Sequence, residues 1–523
     1  MRALVLAILL TLPSPRALAQ AIDVDEPGPP PLPPPSAASA GLRENGEPIL
    51  EPPPAFRRSH PIRAIVEAGL AFSLNLAVYW ADANFNSPDW DLHWDWPSWK
   101  KKVVTFEAVR LDSNQFSTNA GSHTEGGTVI YLIGRGNGLT VGQSVLLTVG
   151  EVVLWEFVGE FYEKPSINDL INNPLGGMAV GEPFHQLSEF FSRGADNGIN
   201  PILATIFSPV AHANAWVDDV RPRRAGQLDR LGLPRDVWHR FDFYSGASEV
   251  RFEQDRSQRY ESLLGIRTQL NTVGGFGRPV HRSGTFGAAR VTSIDANVGF
   301  GANEVSGTLF ATRLGLAGYH HQDLRLEGDQ LYGHNFLLAL VNGFDYSMRR
   351  RPGLPMDQIA TFAVAGPAID YSQRHGLFEA ALHLEAIPEL AMVTSLAADD
   401  FRARYGTEGI KSVVAERGYY YAYGASLGAQ LALRFSFVEV GGDVRWERFG
   451  SIEGYDRFQE KLTRDFHQQD GRSRALAWLS LRPWRSFADL GLSLERTTRW
   501  GQMPNVNVAS DEQRATVTLS FGM

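Results

Sequence analysis

From about residue 241 onward the chain alternates apolar and polar side chains with a period of two. Within 426–435, Leu427, Ala429, Leu431, Leu433 and Phe435 fall on one face. Ser426, Gly428, Gln430, Ala432 and Arg434 fall on the other. Val438, Val440, Val444 and Trp446 oppose Glu439, Asp443, Arg445 and Glu447. Phe378, Ala380, Leu382 and Leu384 oppose Glu379, His383 and Glu385, and at the end Ala515, Val517, Leu519 and Phe521 oppose Arg514, Thr516, Thr518 and Ser520. Successive side chains of a strand leave opposite faces, so this period is a strand signal.

A soluble sandwich shares that alternation. Here, however, one face carries Arg434, Asp443 and Arg445 while the other is almost wholly aliphatic or aromatic. That is the arrangement of a barrel with lipid outside and a polar lumen inside. The segments run to about 10–14 residues, against about 5–6 for ordinary strands. Tyr419, Tyr420, Tyr421, Tyr423, Trp446, Phe449, Trp484, Phe487 and Trp500 gather near strand ends, as interfacial girdles do. About twelve strands are expected, near 244–252, 258–270, 285–299, 304–318, 332–347, 358–372, 376–387, 418–434, 436–449, 473–483, 486–499 and 513–522. The longer connections 388–416 and 450–472 read as extracellular loops. The final ATVTLSFGM resembles the C-terminal targeting strand of outer-membrane barrels, with Phe521 displaced two residues from the end.

Composition agrees. The 523 residues include 51 Gly, 11% aromatics and no cysteine. That excludes disulfides, thiolate metal sites and a catalytic thiol. The net charge of −9 offers no basic field to neutralise phosphates, so nucleic acid is not an expected partner. Arg2, the apolar run Ala3 to Leu12 and Ala17-Leu18-Ala19 make residues 1–19 a secretory signal peptide. Export without cysteine suits a Gram-negative envelope. Residues 20–60 are crowded with proline and read as a disordered linker, with a periplasmic protein partner as its functional reading.

Residues 61–235 read as an apolar helical domain. Pro61 to Trp80 is one apolar run interrupted by Arg63, Glu67 and Asn75, and those interruptions argue against a lipid-exposed span. Trp80, Trp90, Trp94, Trp96 and Trp99 follow and suit either a membrane interface or a helical core. A second helix is expected over 141–161, with Glu156 and Glu160 on one face. Upstream lie Asp112, Asn114, Asn119, His123 and Arg135, which are candidate partners for these carboxylates. As a catalytic set, His123 acts as base with Asp112, Glu156 or Glu160 orienting it. As structure, the same groups satisfy one another. No catalytic spacing is present, and no metal set or cofactor motif announces itself.

Pro165 and Pro174 bracket a short helix or turn, for which Ser166 is the N-cap with Asp169 at its third position. A separate helix is expected from about Glu182 to Ser192. Gly176 and Gly177 permit close backbone approach. The stretch 99–194 resembles a bacterial envelope family of unknown function carrying a P-S-x-N-D-L-x-N motif, then Gly-Gly and Gly-Glu. The matching positions are Pro165, Ser166, Asn168, Asp169, Leu170, Asn172, Gly176, Gly177, Gly181 and Glu182. Asn119, His123, Gly126, Tyr131, Arg135, Trp155 and Glu156 are also similar to the family pattern. The resemblance implies an envelope location and supplies no activity.

The expected protein is therefore α+β and multidomain. A helical N-terminal domain precedes an antiparallel transmembrane β-barrel over 241–523, set in outer-membrane lipid. The helical domain is expected at the periplasmic mouth or the membrane interface, because a charged lumen covers apolar surface poorly. The leading functional reading is a non-enzymatic channel, transport or structural component. The alternative is a membrane-embedded hydrolase or lipid-modifying enzyme built on the His123 carboxylate cluster.

Overall fold

The computed structural model describes residues 52–522 except 57–58, 87–91, 255, 407–411, 454, 456–466 and 483–487. The expected signal peptide, most of the expected linker, Trp90, Trp484, Phe487 and part of the 450–472 connection lie outside the described residues.

The described helical region comprises α1 (Pro61–Asn86), α2 (Trp96–Val103), α3 (His123–Gly136), α4 (Val141–Leu154), α5 (Ile167–Ser192), α6 (Asn200–Phe207) and α7 (Pro209–Val217). Wide π-type turns at Thr118–Ser122 and Trp155–Gly159 open α3 and close α4. The capping box of Thr140 and Gln143 starts α4. Ser166 caps α5 as expected, accepting from the Asp169 N–H at 3.2 Å. The sequence reading broke α5 in two. Instead it runs unbroken through Pro174 and Pro183. An internal proline costs a helix about 3 kcal/mol. Nearly every residue of α5 from Gly176 to Ser192 is buried, so packing offsets that cost.

The barrel strands are β1 (Trp238–Phe252), β2 (Gln258–Asn271), β3 (His281–Phe286), β4 (Val291–Phe300), β5 (Val305–Glu327), β6 (Gln330–Arg349), β7 (Asp357–His375), β8 (Phe378–Thr394), β9 (Tyr419–Phe435), β10 (Val438–Ser451), β11 (Gln469–Leu481), β12 (Ala488–Met503) and β13 (Val506–Gly522). Every pairing is antiparallel. β1 pairs β13, and β5 pairs β6, which closes the ring. β3 and β4 lie end to end against β5, so they share one position and the closed barrel has twelve staves. Each expected strand overlaps an observed stave. The 388–416 connection differs: β8 continues to Thr394, and the rest carries two short helices, α8 (Ala398–Tyr405) and α9 (Val413–Arg417).

One mouth has two-residue turns at 328–329, 376–377 and 436–437, and the chain's last strand ends there. The other mouth carries the long 395–418 and 452–468 connections.

Charged pairs cross the lumen. Arg313 forks onto Asp345 (2.5 and 2.9 Å) and reaches Glu385 at 3.1 Å. Arg445 joins Asp345, Glu385 and Glu447 at 2.9, 3.0 and 3.0 Å. Arg349 bridges Glu512 and Glu261, each at 2.9 Å. Arg499, wholly buried, meets Asp470 at 2.8 Å and Asp357 at 3.2 Å. At the long-loop mouth, Phe401 of α8 and Val414 of α9 pack on Ile359, Val393, Tyr420 and Phe449. At the short-turn mouth, segment 272–280 folds inward. Gln322 donates to the Gly275 and Arg278 carbonyls (2.9 and 2.7 Å), and Trp238 stacks edge-on against Phe276.

The helical domain sits neither inside the lumen nor at the periplasmic mouth. Arg313, Asp345 and Glu385 point inward, so their neighbours Phe310, Phe344 and Phe362 point outward. Those outward rings pack against residues of α5, together with Ile294, Met392, Tyr419 and Tyr421. Near its C-terminal end α5 meets Phe241 and Leu270, at the short-turn mouth. It therefore runs the height of the wall, on its outside. Sequence alone points to the periplasmic mouth or the membrane interface and does not reveal a wall whose outward face is as apolar as the helices.

Candidate functional site

The candidate residues come together because two chain segments pair beside the start of α5. The Arg110 N–H donates to the Pro165 carbonyl, and the Ile167 N–H donates back to Arg110. This sets Asp112 beside the first turn of α5, where its N–H donates to Asn168 Oδ1 at 2.9 Å. The π-type turn swings Asn119 onto the Asp112 carboxylate, and Asn119 Nδ2 also reaches the Tyr421 hydroxyl at 2.6 Å and that of Tyr419 at 3.1 Å. Asn114 donates its side chain to Asp112 Oδ2 at 3.0 Å. Both tyrosines project from the outer wall of β9.

His123 begins α3 and places Nδ1 3.4 Å from Asp169 Oδ1. Asn168 Nδ2 holds the same Asp169 oxygen at 2.9 Å. One ligand-type atom each from Asp112, His123 and Asp169 lie within 4.8 Å of one another. Asp112 and Asp169 are buried, while 18% of the His123 side chain remains exposed. Asn114, Gln115 and Ser122 around it are exposed, so the cluster opens on that side.

The other candidates divide. Glu156 is buried and accepts the Ser166 N–H at 2.6 Å, so it braces the cluster from behind. Glu160 accepts Trp155 Nε1 at 2.8 Å. Glu156 and Glu160, four residues apart across the π-type turn at 155–159, stay near enough for their charges to interact, and Glu160 lies near Asp169 and His123 as well. Arg135 and Glu182 form a separate lock: Glu182 accepts Arg135 Nε and the Tyr131 hydroxyl, each at 2.8 Å. Glu182 is thirteen residues from Asp169 along α5, or about 20 Å. Asn172 is buried in α5 between the two clusters.

Gly176 and Gly177 belong to packing. A Cβ on Gly177 would lie 2.6 Å from the Gly127 backbone, and one on Gly127 would lie 2.1 Å from the Asn173 carbonyl oxygen. A Cβ on Gly176 would meet Thr124 at 2.9 Å and Phe362 at 3.1 Å. α3 and α5 thus cross at backbone contact, and α5 lies close on the wall.

Sequence reasoning missed Tyr419 and Tyr421, because tyrosines at a strand end read as girdle residues.

None of the curated proteins matches the chain. Among solved structures, the chain is similar to a mutant of the TodX monoaromatic hydrocarbon channel (8% identity, 55% of this chain and 90% of that one, TM-score 0.22). It is likewise similar to the outer membrane channel DcaP of Acinetobacter baumannii (10% identity, 57% and 100%, TM-score 0.19). A third likeness is to the translocator domain of autotransporter NalP from Neisseria meningitidis (11% identity, 60% and 96%, TM-score 0.21). Residues 108–210, which hold the whole Asp112–His123–Asp169 cluster and the α3–α5 crossing, match the family model described as Domain of unknown function (DUF3943).

Proposed function

We propose that this chain is an outer-membrane protein whose barrel is a scaffold, carrying the helical domain on its lipid-facing wall. It is the structural, non-enzymatic form of an envelope component. One observation carries the reading: α5 covers part of an outward face that elsewhere is bare apolar surface. Leu431, Leu433, Val444, Leu492, Leu494 and Val517 are all exposed on it. A surface of that kind belongs in lipid.

The outer helices continue that surface. Ile62, Val66, Leu70, Leu74 and Val78 form an exposed stripe along α1. The interrupting charges turn the other way. Arg63 pairs with Asp218 at 2.9 Å, and Glu67 accepts from Asn137 at 2.6 Å. Asn75 is the exposed exception. Leu146, Val149, Val153 and Val158 are exposed on α4 and its closing turn. Pro61–Ala81 and Val141–Gly159 are long and apolar enough to cross a bilayer, and only 11% and 22% of those stretches are buried in the protein. Trp80, Trp94, Trp99, Phe161 and Tyr162 cluster at one end of the bundle, as interfacial aromatics do. Short turns mark the periplasmic mouth of such barrels. The proline-rich arm then leaves from the periplasmic side, where the Ala55 N–H donates to Glu189.

The paired charges across the lumen and the cover at both mouths support a scaffold. Planar-bilayer recording tests this: the purified protein should show no steady conductance. A stable open current would overturn the scaffold reading in favour of transport. A second reading, lipid-directed hydrolysis, is favoured by the partly exposed His123 beside two carboxylates. Release of fatty acid from phospholipid vesicles, abolished by His123→Gln, would support it.

A further inference from the structure

We infer that Asp112, His123 and Asp169 hold a first-row divalent metal ion, of the zinc or manganese kind, within the helical domain. The three side chains come from three separate segments, yet their ligand atoms lie within 4.8 Å of one another. Two carboxylates and an imidazole are the donors such ions take. The 3.4 Å gap between His123 Nδ1 and Asp169 exceeds the about 2.7–2.9 Å of a charge-assisted hydrogen bond. It suits two ligands of one ion better than a direct pair.

Two further features point the same way. Asn119 is fully buried and its nitrogen holds Asp112, but its oxygen has no hydrogen-bond partner among the described residues. A buried amide oxygen left in that state costs about 1–3 kcal/mol. A cation or its bound water beside Asp112 would satisfy it. Each carboxylate is also held by neutral donors. Tyr421, Asn119 and Asn114 hold Asp112, and Asn168 holds Asp169. Outer-shell donors of this kind orient metal ligands. The open side of His123 leaves room for water or a small anion as a further ligand. The inference rests on the helical domain's own geometry and does not depend on the bundle meeting lipid.

The test uses the full-length, untagged protein in detergent, stripped with a chelator and re-exposed to Zn2+ or Mn2+ alone. Elemental analysis after desalting should find one ion per chain. His123→Gln and Asp112→Asn should each weaken binding by at least about 10-fold. Glu182→Gln, in the separate lock, should leave it unchanged. Heat-modifiable gel migration reports whether each variant remains folded. If folded wild-type protein retains no stoichiometric ion, or if folded His123→Gln and Asp112→Asn bind as wild type does, the inference is overturned.

Discussion

The hydroxyl of Tyr421, on the outer wall of β9, donates to the Asp112 carboxylate of the helical domain at 2.9 Å. The neighbouring Tyr419 hydroxyl donates to the Asn114 carbonyl at 2.6 Å. Two strand-end tyrosines thus fasten the helices to the barrel at one end of α5. Tyr421→Phe removes a hydrogen bond to a charged group, worth about 1.5–3 kcal/mol. The expected outcome is earlier proteolytic release of the helical domain while the barrel keeps its heat-modifiable migration. Equal protease resistance in variant and wild type would contradict this anchor.

The α3–α5 crossing makes a sharper prediction. Gly177 has no room for a Cβ, since Gly127 backbone atoms would lie 2.6 Å from it. Both partners there are backbone, so neither can yield cheaply. Gly177→Val should destabilise the bundle by about 1–3 kcal/mol or more through overpacking. Gly150, where an added Cβ meets nothing within 4 Å, is the matched control. Helical circular dichroism against denaturant in detergent reads the difference.

The barrel was legible in the sequence, whereas the helical domain's position was not. Leu427 to Phe435 alternate cleanly because an apolar outer face and a charged lumen impose opposite demands on successive residues. On β5 to β7, however, Phe310, Phe344 and Phe362 face helices rather than open wall. Either environment asks only for apolar side chains, so the same pattern serves both. Local composition therefore hid which part of the wall was covered. Ser166 and Asp169 were readable from capping chemistry. The joining of Asp112, His123 and Asp169 depends on a long-range pairing and a π-type turn, neither of which has a spacing signature. The run of α5 through Pro174 and Pro183 is likewise a tertiary effect.

In the lumen, Asp345 is shared by Arg313 and Arg445. Asp345→Ala takes one partner from two part-buried guanidiniums that both keep Glu385. The cost should therefore stay below the about 3–5 kcal/mol of a buried pair broken outright. The temperature at which the compact gel band converts to the unfolded one should fall. An unchanged transition would mean that the network contributes little to barrel stability.

On α1, charge and apolarity should have opposite effects. Leu70→Lys puts a charge on the outer stripe and should cost about 2.5–3.5 kcal/mol if that stripe is at bilayer depth. Asn75→Leu removes an exposed amide and should leave membrane assembly unchanged or improved. Yields of folded protein in outer-membrane fractions compare the two. Equal yields for Leu70→Lys and wild type would count against a lipid-facing helix.

The central claim, that the bundle shares lipid with the barrel wall, is tested most directly by spin-label accessibility. The chain has no cysteine, so single labels need no background removal. Labels at Leu70→Cys and Leu146→Cys, in protein reconstituted in bilayers, should collide readily with oxygen and poorly with a water-soluble nickel chelate. They should match labels at Leu431→Cys and Leu492→Cys on the bare wall. If the two helix labels instead meet the nickel chelate freely while the wall labels do not, the helical domain lies in water and the account is wrong.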